Sequence, residues 1–145
     1  MNDNTAEVMQ EPIKQERELD RLYERGLLGT DNRSVMRRYS AGDRFFSDWE
    51  HSVFNPDFRS CCGKRDDPER LTAADRYLNA INALKPAWRY YVRCILIDGE
   101  TVDGFLARHP IYNRTADEKA VLLLTLQDAL DEIAGAYEKM EESND

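Results

Sequence analysis

Residues 88–140, WRYYVRCILIDGETVDGFLARHPIYNRTADEKAVLLLTLQDALDEIAGAYEKM, decide how the chain is read. Pro86 suits the first turn of a helix whose Trp88, Tyr91, Val92, Ile95 and Leu96 fall on one face, with Arg89 and Arg93 at i,i+4 pointing away. Asp98-Gly99 breaks that helix. An alternative makes the same dipeptide a hairpin turn between CILI and TVDGF, because the composition there is β-rich. Thr101 then caps a short helix containing Val102, Phe105 and Leu106, which His109-Pro110 ends. Thr115-Ala-Asp-Glu118 forms a capping box for a long last helix, on which Leu123, Leu126, Leu130, Ile133, Tyr137 and Met140 hold one face. Helix, turn, short helix, turn and long helix over about residues 86–137 is a helix-turn-helix layout.

Working outward, the remaining sequence is helical as well. Pro12 opens a first helix carrying Leu19, Leu22 and Tyr23, which Gly26 ends. Asp31 or Asn32 caps a second helix over about residues 33–53. At roughly 100° per residue, Val35, Tyr39, Phe46, Trp49 and Val53 share a core stripe, with Gly42 marking a close helix crossing. Arg33, Arg37 and Arg44 gather on the opposite face, either as a solvated basic surface or as a ridge for phosphate or an acidic protein. Residues 54–71 contain Asn55-Pro56, Gly63 and Pro68 and read as a loop. Thr72 and Asp75 form a near capping box for a third helix with Tyr77, Leu78, Ile81 and Leu84 in one stripe.

The expected architecture is therefore all-α, a single bundle of about six helices over residues 11–140, with a polar tail at 1–10 and an acidic tail at 141–145. A chain of 145 residues is long enough to bury a core without disulfides or metal. The net charge of −8 is uneven, since the last 52 residues hold four basic and twelve acidic side chains while the middle of the chain is mildly basic. Cys61, Cys62 and Cys94 lack zinc-site or disulfide spacing and are expected to be reduced thiols. No apolar run is long enough for a membrane, and the acidic N-terminus differs from a signal peptide, so a cytoplasmic protein is expected.

No pattern of nucleophile with base, paired carboxylates, metal ligands or phosphate cradle stands out, so neither catalysis nor a cofactor is expected. Gly63-Lys64 lacks the preceding strand and the spacing of a phosphate loop, and His51 and His109 read as packing or surface residues. DNA reading would fall to the last helix through Asn113, Arg114, Thr115 and Lys119, but Asp128, Asp131 and Glu132 give it an outward carboxylate face that repels phosphate. Val121 and Leu124 lie off the main stripe where a recognition helix needs polar groups, and either pack internally or form a protein interface.

From Leu27 to Tyr137 the sequence resembles the C-terminal domain of alphaproteobacterial gene-transfer-agent activators of the GafA and GafZ type, also found in prophage regulators. The matching features begin with Ala41-Gly42-Asp43-Arg44, Phe46 and Asp48-Trp49-Glu50, then Asp75-Arg76 with Ala80. They continue through the Trp88–Cys94 helix and the Thr101-led helix to Arg114, Lys119-Ala120-Val121-Leu122, Leu126, Leu130 and Tyr137. The resemblance implies a sigma-like helix-turn-helix and a role in activation or antitermination of phage-like gene clusters through RNA polymerase. It also implies a companion DNA-binding subunit, with promoter DNA met as part of that complex and no membrane involved. The acidic ends separately motivate a second expectation, a phage-encoded inhibitor that imitates DNA or blocks a host protein.

Overall fold

The computed structural model describes residues 17–57, 68–109 and 117–143, which form six helices and no strand. They are α1 Glu18–Glu24, α2 Asn32–Glu50, α3 Pro68–Ala83, α4 Pro86–Leu96, α5 Val102–Arg108 and α6 Glu118–Ser143. The long α6 is the spine of the bundle, and α2, α3, α4 and α5 all pack on it. Around it Phe45, Leu84, Val92, Phe105, Leu126 and Ile133 are fully buried. The all-α architecture of about six helices is as the hydrophobic periodicity predicts.

Local chemistry explains most of the helix ends. Gly26 takes a positive φ of 72° after α1, and the Leu27 amide turns back to the Leu22 carbonyl at 2.8 Å. Asp31 caps α2 by accepting from the Ser34 amide and hydroxyl, both at 3.0 Å. Asp98-Gly99 ends a helix and makes no hairpin. The Asp98 amide bonds the Arg93 carbonyl and the Glu100 amide bonds the Cys94 carbonyl, both at 3.0 Å, with Gly99 at φ 79°. Thr101 caps α5 through the Gly104 amide at 2.8 Å. The Val102 amide beside it donates at 2.9 Å to buried Glu18, so α1 helps to cap α5.

Several boundaries and faces differ from expectation. The region around Pro12, the 1–10 tail and the Thr115 capping box fall wholly or partly outside the described residues. The second helix stops at Glu50 because Ser52 bonds the Trp49 carbonyl and Asn55 the Glu50 carbonyl, each at 2.7 Å. Arg70 then donates to the Ser52 and Asn55 carbonyls at 3.1 and 2.9 Å, locking this turn to α3. That contact and Pro68 start α3 ahead of Thr72, so the Thr72 and Asp75 pair lies inside the helix. The last helix runs through Ser143, taking in most of the supposed acidic tail.

On α2 the buried line is Ala41, Gly42, Phe45 and Asp48, continued by Ser52 in the turn that follows, whereas Val35, Tyr39, Phe46 and Trp49, with Val53 past the helix end, are only half-buried beside it. Small and polar residues hold the centre because neighbouring helices approach so closely there. A Cβ on Gly42 would lie 2.9 Å from Leu19 Cδ2 and 3.1 Å from Leu130 Cδ2, as the expected close crossing requires. On α6, Leu122, Ala129 and Ala134 take inner positions while Leu123 and Met140 flank them. Leu78 lies outside the α3 stripe and is exposed.

The polar centre of the fold is Asp48, 5% exposed. Its Oδ1 accepts from Arg76 Nε and Nη2 at 3.0 and 2.8 Å, and its Oδ2 accepts from the Tyr137 hydroxyl at 2.8 Å. Burial, reinforced by Asp48, raises the Tyr137 pKa and keeps it a donor. Replacing Asp48 with Ala should lower unfolding free energy by about 2 kcal/mol, and Tyr137→Phe by about 1 kcal/mol, in urea titrations.

A second polar cluster sits at the entry to α1. Arg17 holds Asp20 through Nε–Oδ2 and Nη2–Oδ1 contacts of 3.0 Å, and the Tyr39 hydroxyl donates to Asp20 Oδ1 at 2.6 Å. The Arg17 hydrogen bonds bring the Asp20 carboxyl from its ordinary 3.8 down to about 2. A lowered acid contributes stability above its ordinary value and loses it as pH falls toward the folded value. The melting temperature should therefore drop between pH 3.8 and about 2, and Asp20→Asn should remove that part of the fall.

Candidate protein interface

The arginine face of α2 and the acidic face of α6 are each other's partners. Arg37 binds Glu138 through two contacts of 2.9 Å and reaches Asp131 at 3.6 Å. Arg44 pairs with Glu141 at 2.7 Å while its guanidinium lies 4.3 Å from the Tyr137 ring centroid. Between them runs Arg38, which the sequence reading passed over. It grips Asp131 through contacts of 2.9 and 3.0 Å and donates to the Leu28 carbonyl at 2.6 Å.

Gly29, at φ 134°, leaves room for this, since a Cβ there would lie 2.3 Å from Arg38 Nη1. The expected basic ridge is thus mostly paired with α6 along a partly solvated seam, with Arg37 and Arg44 still 38% and 39% exposed, and is not a free docking ridge. Only Arg33 of the expected trio stays exposed, at the start of α2.

The other expected cations are dispersed. Arg89 donates to the Leu84 and Asn82 carbonyls at 3.2 Å, closing the C-terminal end of α3. Arg93 is exposed and hydrogen-bonds the Tyr77 hydroxyl. Lys119 pairs with Asp103 of α5 at 3.0 Å, and Arg114 lies outside the described residues. The expected carboxylate face divides too: Asp131 turns to α2, Glu132 is half-buried with its Oε1 unpartnered among the described residues, and Asp128 remains exposed.

Val121 and Leu124 are the apolar pair that the fold leaves outside, 52% and 59% exposed. Next to Leu124, a groove of about 570 Å³ runs between α6 and the turn joining α1 to α2, with Leu27, Leu123, Leu124 and Ala120 along it. Gln127 fastens the turn to α6, donating to the Leu27 carbonyl at 3.1 Å and accepting from Arg38 at 3.3 Å. A pair of exposed large side chains beside a built groove is the surface best suited to grasp another protein.

Among the described residues no cluster of three or more His, Cys, Asp or Glu side chains is placed to hold a metal ion, and Cys94 is buried as a free thiol. His51 bonds the Ser47 carbonyl at 2.8 Å, and His109 bonds the Phe105 carbonyl at 2.9 Å while stacking on the Phe105 ring. Cys61 and Cys62 lie outside the described residues. No described helix is long and apolar enough to cross a membrane. No family model, curated protein or solved structure matches the chain.

Arg38 carries the seam because its side chain is the better shielded, 16% exposed against 38% for Arg37. In urea denaturation Arg38→Ala should cost about 2 kcal/mol and Arg37→Ala less than about 1 kcal/mol.

Proposed function

We propose that the chain is a transcription activator working as a protein adaptor. It grips RNA polymerase at phage-like gene clusters through the Val121 and Leu124 strip and leaves promoter reading to a companion DNA-binding subunit. The exposure of those two side chains on α6 carries this reading. A helix that enters the major groove presents polar groups to base edges and free cations to phosphates. This one presents valine and leucine, and its Lys119 is tied to Asp103. The succession α4, α5, α6 has the order of a helix-turn-helix tail, and the sequence resemblance supplies polymerase as the partner.

The alternative, a DNA-imitating phage inhibitor, draws on the carboxylates of the last helix. Asp131, Glu138 and Glu141 are matched by arginines of α2, which breaks up the row of carboxylates that this reading needs, although Asp128 and Glu142 stay exposed on the same helix.

Immobilised protein should retain purified host RNA polymerase. The double variant Val121→Asp, Leu124→Asp should retain roughly tenfold less, with unchanged helix content because both positions are exposed. In mobility-shift assays at about 100 mM salt the chain alone should leave promoter DNA unshifted. Failure of wild type to hold polymerase, or tight and selective binding of naked promoter by this chain, overturns the proposal.

A further inference from the structure

Taking the Val121 and Leu124 strip as a protein-docking face, we infer that its occupant is an amphipathic helix with an apolar stripe flanked by lysine or arginine. The groove beside Leu124 combines an apolar wall with an acidic rim. Leu27 and Leu123 are half-buried along it and Leu124 stands exposed above them. Asp31, exposed at the start of α2, lines it, and Asp128, exposed one turn beyond Leu124 on α6, lies within electrostatic reach of Arg38 in the groove. Ser34 hydrogen bonds lower the Asp31 pKa, so this carboxylate keeps its charge at neutral pH.

The cation inside the groove, Arg38, binds Asp131 and the Leu28 carbonyl, and one positive charge stands against three carboxylates around it, Asp31, Asp128 and Asp131. The groove is also prebuilt. Arg38 and Gln127 tie the Leu27 to Gly29 turn to α6 and bond each other, so the apolar wall is held in place before a ligand arrives. Apolar anchors spaced i, i+3, i+4 and i+7 on one helix are the shape that an open groove accepts, and flanking cations answer the carboxylates.

Fluorescence anisotropy with two synthetic helical peptides tests this, one with leucine anchors flanked by lysines and the other with glutamates replacing those lysines. Wild type should bind the lysine peptide at least tenfold more tightly than the glutamate peptide. Leu124→Asp should lose binding to both. The double variant Asp31→Asn, Asp128→Asn keeps the α2 cap, since Asn caps as well as Asp. It should still bind the lysine peptide but lose the preference over the glutamate one.

No binding by wild type, no preference between the peptides, or a preference that survives in the double variant overturns the inference. Polymerase retention separates it from the proposed function. A double variant that holds polymerase as firmly as wild type leaves the adaptor reading standing and sinks the basic helix. A wild type that binds the lysine peptide as expected but retains no polymerase does the reverse.

Discussion

A carboxylate shut away from water among three helices sets the terms for this fold. Burying an ion costs several kcal/mol unless hydrogen bonds replace its lost hydration, and breaking such a pair leaves the cost uncompensated. Asp48 on α2 recovers it from Arg76 on α3 and Tyr137 on α6, through three hydrogen bonds. Because those donors come from different helices, sliding any one of the three along its axis would strand the charge. Gly42, nearly two turns earlier on α2, imposes the complementary condition, since only a missing side chain lets α2 approach Leu19 and Leu130 so closely. One site fixes register and the other fixes separation.

With α2 so placed, its arginines fall opposite the acidic residues of α6. On this side Arg37, Arg38 and Arg44 stand against Asp131, Glu138 and Glu141, so the seam itself is balanced and the excess of −8 is carried by other residues. Leu71 and Tyr90 are exposed as well, as scattered large apolar side chains are on any protein surface, and Met36 is covered on one side by Tyr23. Val121 and Leu124 differ in standing nearly one turn apart on the same helix, beside a groove whose walls are tied together. Exposure with neighbouring concavity, more than exposure alone, marks a surface built to be covered.

What periodicity records is which side of a helix is greasy, and that much was legible: the helices, the Asp31 and Thr101 caps, the close crossing at Gly42 and the place of Val121 and Leu124 off the main stripe, though not whether those two pack inside. Spacing failed where small and polar residues occupy the centre of a buried face. Asp48 lies one turn from Phe45 and two turns from Ala41, so its wheel position pointed inward, but an acidic residue scores as surface until its distant partners are known. The arginine face of α2 was visible, as were the carboxylates of α6; nothing local said that they meet, because the pairs are separated by about a hundred residues, as Arg37 and Glu138 are. Arg38 was missed for a related reason. It falls at the border of the two faces, and its value lies in Gly29 and Asp131, each supplied by another part of the chain.

The residues on which the family resemblance rests also acquire physical roles. Gly42, Asp48, Arg76 and Tyr137 form the close crossing and the buried node, while Ala80, Leu126 and Leu130 are core. These are requirements of a scaffold, and a fold can keep them while its partners change. Val121 is one resembling residue that the core does not use, since it is 52% exposed and its side chain could become polar with little loss of core burial. A large apolar residue standing in water is covered at little cost by another surface. On the proposed reading the outer face of α6, rather than the arginines of α2, carries that contact.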